Sequence, residues 1–258
     1  MLLAPDEPHP VQRLGEGTGP FLLTADHAGR RIPRALGDLG LDAVERSRHI
    51  AWDIGIQAVT ERLAQSLGAT AILQTWSRLV IDCNRQPGVA SSIPEISETT
   101  LIPGNQNLAP ADREARRLAI FAPYHTAIAA EIAARKARAQ PTLYIAMHSF
   151  TPVFKGVSRP MHAAVLYNRA PLLSRALAAL LRAEPGLTIA ENEPYSVSDE
   201  TDYGVPVHAE RGGLDYVEIE IRQDLIAEPQ GQAEWAARLA RLLPLAAATL
   251  ETPTLETP

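Results

Sequence analysis

The residues best suited to chemistry follow the chain's short apolar runs. Asp26-His27-Ala28-Gly29 comes after Phe21–Ala25, and Asn84-Arg85 comes after Leu79–Cys83. His148-Ser149-Phe150 comes after Leu143–Met147, and Glu220 and Arg222 lie near the end of Tyr216–Arg222. Read as strands of an open α/β sheet, these runs bring two histidines, two arginines and a carboxylate to one rim, where such sheets bind ligands. The set suits metal-assisted hydrolysis. A catalytic zinc takes about three protein ligands, commonly histidines and a carboxylate, and keeps a further position for water. The ion lowers that water's pKa to about 7. A carboxylate outside the ligand set can take the water's proton, and an arginine can hold a substrate carboxylate through paired hydrogen bonds. His27, His148, Glu220 and Arg85 could fill these roles. The third ligand stays open: Asp53, in His49-Ile-Ala-Trp-Asp53, opens a helix beside the same rim, and Asp26 is the other choice.

Each residue also has a plainer reading. A histidine after a strand is commonly a loop residue with an ordinary hydrogen bond. Asp53 is well placed as a helix N-cap. Glu218, Glu220 and Arg222 alternate along one strand and share a face, which also fits a solvated edge-strand ladder. Arg85 could pair with Asp82 or Glu95.

The elements that must position these residues alternate between strand-length runs and longer helical patterns. Phe21–Ala25, Ala69–Thr75, Leu79–Cys83, Leu143–Met147, Ala163–Tyr167, Leu187–Ala190 and Tyr216–Arg222 read as strands. Ile54–Leu67, Asp112–Arg138, Pro171–Ala183 and Gln230–Leu250 read as helices, the first with Ile56, Val59, Leu63 and Leu67 on one face. Thr201–Glu210 is ambiguous. Residues 86–111 form a long Pro-, Gly-, Ser- and Asn-rich loop, which in a compact domain usually serves binding or closure. The pattern predicts an α/β fold in three layers, a mixed, mostly parallel sheet with helices on both faces. A single domain spans residues 1–258, with loose ends at 1–19 and 251–258.

Composition narrows the function. The chain has 258 residues, 46% hydrophobic and 21% charged, enough for a full core. A net charge of −6 with no basic stripe argues against nucleic acid. Cys83 is the single cysteine, which excludes an internal disulfide and Cys-rich metal sites. The start, MLLAPDEPHP, does not read as a secretory signal, and no apolar run is long enough to span a membrane. The expectation is a cytoplasmic enzyme. H-E-x-x-H, G-x-S-x-G and the Walker loop are all missing.

Taken in order, the motifs resemble those of the N-formylglutamate amidohydrolase family. They are Asp26-His27-Ala28-Gly29 with Pro33, His49-Ile-Ala-Trp-Asp53-Ile-Gly55, Ile81-Asp82-Cys83-Asn84-Arg85, His148-Ser149-Phe150 and Glu218-Ile-Glu220-Ile-Arg222-Gln-Asp224-Leu225. The resemblance implies a fold similar to the zinc carboxypeptidases and a bound Zn2+, although histidine and carboxylate donors also suit other divalent ions. By motif matching His27, Asp53 and His148 would hold the metal. Asp53 would replace the glutamate of the carboxypeptidase H-x-x-E, a position that is Arg30 here. Glu220 would be the general base, with Glu218 as the alternative. Asn84 and Arg85 would hold the substrate's carboxylate, Arg222 would add a second positive charge, and His208 would lie near the site. The implied substrate is a small N-acyl amino acid such as N-formylglutamate. The rivals are a deacylase for a larger N-acyl group and a non-catalytic binder of amino acids or anions.

Overall fold

The computed structural model describes residues 2–250. At its centre is a seven-stranded sheet in the order β1-β3-β2-β6-β11-β9-β10. The strands are β1 (Val11–Leu14), β2 (Phe21–Ala25), β3 (Thr70–Gln74), β6 (Leu143–Phe150), β9 (Ala163–Leu166), β10 (Ile189–Glu191) and β11 (Tyr216–Arg222). Two small hairpins complete the set, β4 (Ile96–Ser97) with β5 (Thr100–Leu101) and β7 (Val153–Phe154) with β8 (Val157–Ser158). The neighbours β3, β2, β6 and β11 run parallel, and β1 and β9 pair antiparallel to β3 and β11. The sheet is therefore mixed and mostly parallel, as the sequence predicts.

Strand alternation divides the side chains between two cores. Leu23, Ala25, Ile145, Met147, Val217, Ile219 and Ile221 face α1 (Ile56–Leu67), α4 (Leu172–Arg182) and α5 (Pro229–Ala248). Leu22, Tyr144, Ala146 and Tyr216 face the other way, toward Ile120, Phe121, Tyr124 and Ile128. These last residues belong to one helical rod made of α2 (Pro110–Arg116), a π-helical turn (Arg117–Phe121) and α3 (Ala122–Ala137). His148, Glu218 and Glu220 share the parity of Tyr144 and Tyr216, so they emerge on the rod side. Among the described residues no helix is long and apolar enough to cross a membrane.

Several expectations need correction. Within the stretch 1–19, read as a loose end, Val11–Leu14 form an edge strand on β3; residues 251–258 lie outside the described residues. Leu79–Cys83 is buried but is not a strand. Its backbone is satisfied locally and by side chains instead of a ladder. Val80 N donates to the Ser77 carbonyl at 2.9 Å, Asn105 Nδ2 to the Leu79 carbonyl at 2.8 Å, and Arg116 to the Val80 carbonyl at 2.9 Å. β6 runs on to Phe150, so His148 lies within a strand and not after it. Thr201–Glu210, which the sequence leaves open, is settled, not corrected: it holds a short helical element, the π-helical turn Val205–Ala209.

Candidate active site

β2 departs through α1 to β3 on one side, while β6 lies on its other side. This reversal of strand order opens the crevice that open α/β sheets use for ligands. His27 leaves the end of β2, and His148 projects from β6 beside it, their rings 5.1 Å apart. Asp53 reaches the same point from the start of α1. Its N–H donates to the His27 carbonyl at 3.0 Å, which ties the helix entry to the strand exit. Gly55 then begins the helix at φ +81°, and a Cβ there would meet the Ile226 carbonyl oxygen at 2.1 Å. Only glycine fits this turn. Asp53 is not the helix cap: its Oδ2 accepts from His148 Nδ1 and from the Ser149 N–H, both at 3.1 Å.

His27, Asp53 and His148 are all buried and offer donor atoms within 4.8 Å of one another. His27 Nδ1 and His148 Nε2 are buried without a hydrogen-bond partner. His27 Nε2 is held by Asp82 Oδ1 at 2.7 Å, an arrangement that metal-binding histidines use to fix their ring. The donor set therefore fits a divalent metal. Burial would raise the Asp53 carboxyl, but the charges and hydrogen bonds of His27 and His148 outweigh it and hold that group far below the usual range. Burial opposes protonation of His148, but its hydrogen bond to Asp53 and the nearby Glu218 and Glu220 win and raise it well above an ordinary histidine. Asp26, the other candidate ligand, is 3.8 Å from His148 Nε2 and accepts from Tyr124 Oη at 2.6 Å.

Glu218 and Glu220 stand on β11 beside this cluster, with Glu220 directly across from His148 in the ladder. β11 lies between β6 and β9, so these residues are not a solvated edge. Both are buried, each keeps an Oε2 without a partner, and burial pushes both carboxyls up to about 8. Glu220 is further raised by the negative charge of Asp53, whereas Asp202 and Asp26 act on Glu218. The three candidate ligands and both glutamates line one cavity of about 520 Å³. Ile96, Ser97 and Glu98, from the long 86–111 loop, form part of its wall.

The remaining predicted residues divide. Arg85 lines the cavity but is also ion-paired with Asp202 at 3.3 Å and bonded to the Thr201 carbonyl. Asn84 lines it too, yet its amide is occupied: Nδ2 donates to Asp202 at 3.2 Å, and Oδ1 accepts from the N–H groups of Tyr203 and Gly204. Arg222 is outside the cavity lining, paired with Asp224 at 2.8 Å and bonded to the carbonyls of Arg159, Pro160 and Met161. His208 is buried against His125, with Nε2 2.8 Å from His125 Nδ1, and does not line the cavity. Burial pushes His208 down to about 4 and His125 to about 3, so both are neutral near pH 7.

A family profile described as N-formylglutamate amidohydrolase matches residues 19–227, most of the chain. The chain belongs to the N-formylglutamate amidohydrolase family. As a member it is an amide hydrolase acting on a non-peptide C–N bond. It is 29% identical to an N-formylglutamate deformylase of Pseudomonas aeruginosa over 87% of this chain and 88% of the relative. A second N-formylglutamate deformylase, from Pseudomonas putida, is 33% identical over 45% of this chain and 46% of the relative. Among solved structures, a gene product of Agrobacterium tumefaciens superposes with a TM-score of 0.94 at 37% identity, covering 98% of this chain and 100% of that one. N-formylglutamate amidohydrolase from Ralstonia eutropha shares the fold, with a TM-score of 0.70 at 22% identity over 94% and 98% of the two chains.

Two further residues of the cavity, Arg78 and Asp82, are not among the candidate site residues read from the sequence. Arg78 donates to Asp82 Oδ2 from Nε and a terminal nitrogen at 3.0 and 2.7 Å, and lies 3.4 Å from Asp53 Oδ1. Asp82, besides bracing His27, accepts from the Asn84 N–H at 2.8 Å. Burial would raise Asp82, but Arg78 and His27 hold it well below the usual range. The four-residue spacing of Arg78 and Asp82 is the available signal, and the apolar run between them masks it as a strand.

Proposed function

We propose that this amidohydrolase removes the formyl group from an N-formyl amino acid of the N-formylglutamate kind, and that His27, Asp53 and His148 hold the Zn2+ the reaction needs. The observation that carries the reading is the single cavity in which two buried carboxyls with unpartnered oxygens face the His-Asp-His cluster. The bound ion, zinc or another divalent metal, would supply Lewis acidity and lower the pKa of a water in the site.

Glu220 takes the proton of the attacking water. It acts as the ionised carboxylate, a form that a cation held by the neighbouring cluster would favour against the effect of burial, and its place opposite His148 puts it against that cluster. Water adds to the formyl carbon, the C–N bond breaks, and Glu220 returns the proton to the departing nitrogen, giving formate and the free amino acid. Arg78, fixed by Asp82, faces the cavity as a cation for the negative charge that develops on the amide oxygen. Arg85 engages a carboxylate of the amino acid, and Asn84 braces the 202–204 loop that adjoins it. The Cys83 thiol takes no part: it is buried, and burial pushes it up.

Release of free L-glutamate from N-formyl-, N-acetyl- and N-butyryl-L-glutamate tests the reading. We expect the highest kcat/KM with the formyl compound. A preference for the longer acyl groups would assign the site to a deacylase for larger substrates.

A further inference from the structure

Resting on the reading above, we infer that Arg159 is the specificity residue for an acidic side chain: its guanidinium receives the second carboxylate of the substrate, the one on the side chain. The other arginines in or beside the cavity each have a carboxylate of the protein as partner, whatever else they bind. Arg78 is paired with Asp53 and Asp82, Arg85 with Asp202, and Arg222 with Asp224. Arg159 is only 9% exposed, yet it forms no ion pair with a carboxylate among the described residues. A buried cation without a counter-ion is costly unless some anion completes it.

The guanidinium is built into place. Its carbon lies 4.8 Å from the ring centre of Phe154, 4.9 Å from that of Tyr195 and 6.0 Å from that of Phe150. One terminal nitrogen donates to Tyr195 Oη at 2.9 Å. The backbone is fixed from both sides: Arg159 N–H donates to the Pro152 carbonyl at 2.8 Å, and Arg222 holds the Arg159, Pro160 and Met161 carbonyls. Phe154 and Tyr195 both line the cavity that also holds Glu220 and His49. Arg159 is not itself a lining residue; its guanidinium is held by stacking directly behind Phe154 and Tyr195 in the cavity wall, with donors left for a planar anion. An N-formyl amino acid with an acidic side chain carries two carboxylates. Arg85 takes one, and Arg159 supplies the second site.

The test compares N-formyl-L-glutamate with N-formyl-L-glutamine, which has the same shape without the side-chain charge. The wild-type enzyme should favour the glutamate compound by about 10- to 100-fold in kcat/KM, the range of a charge-assisted contact. Arg159→Gln should bring the ratio near one while leaving N-formyl-L-glutamine turnover within about threefold, and Arg159→Lys should keep part of the preference. Equal loss on both substrates, or an unchanged ratio in Arg159→Gln, would overturn the inference. Calorimetric binding of L-glutamate and L-glutamine, with and without added zinc, reads the same site without turnover. A glutamate preference that Arg159→Gln abolishes, in a wild-type protein that hydrolyses neither compound, would keep this inference and remove the hydrolase reading. Equal wild-type hydrolysis of both compounds would do the reverse.

Discussion

Replacing Glu218 by glutamine should stabilise the metal-free protein at alkaline pH. Burial pushes this carboxyl up to about 8 in the fold, whereas the unfolded chain titrates near 4.5. Between those values the folded state keeps the proton and the unfolded state releases it. Each increment of pH therefore favours unfolding, and the cost is complete once pH passes the folded value. The displacement corresponds to on the order of 3–5 kcal/mol, a large part of a typical domain's stability. Glutamine has a similar shape and no charge to desolvate. Urea unfolding of metal-free wild type and Glu218→Gln from pH 4 to pH 9 reads the effect. The curves should agree near pH 4 and diverge as pH rises, with the variant more stable by a few kcal/mol near pH 9. Parallel curves throughout would show that Glu218 ionises normally in the fold, and the argument from its burial would fail.

Other expectations follow from the same geometry. Glu220→Gln should lower kcat by about 100-fold or more while zinc content stays near wild type, and full activity in that variant would move the base to Glu218. Asp82→Asn should weaken zinc binding by about 10- to 100-fold, the usual effect of removing a carboxylate that orients a ligand histidine, measured by competition with a chromophoric chelator; unchanged affinity would show that the His27–Asp82 contact does not support the site.

The central part of the site is legible in the sequence because parallel strands deliver residues to one rim. Phe21–Ala25, Leu143–Met147 and Tyr216–Arg222 become neighbouring strands β2, β6 and β11, and the histidines and glutamates they carry meet. Asp53 is legible only as a choice, since a carboxylate before a helix serves equally as a cap. What the reading misses lies where periodicity carries no information. An apolar run such as Leu79–Ile81 has the same composition as part of a buried strand or of a buried turn, so the Arg78–Asp82 pair flanking it stays hidden. Arg222 matches a strand end, yet parity alone cannot show that it reaches past the cavity to the carbonyls of 159–161. Arg159 sits just beyond the β7–β8 hairpin, and its aromatic partners come from two separate stretches of chain, Phe150 and Phe154 from one and Tyr195 from the other. His208 shows the opposite failure: the right residue type near the site is spent on a buried histidine pair.

In the proposed reaction, hydrolysis at this site depends on a metal held by His27, Asp53 and His148. Elemental analysis of the purified protein, before and after zinc is added back, alongside His148→Ala, tests it most directly. Wild type should hold about one zinc per chain and His148→Ala should lose it, with activity following metal content. No metal in wild type after reconstitution, or full occupancy in His148→Ala, would contradict it.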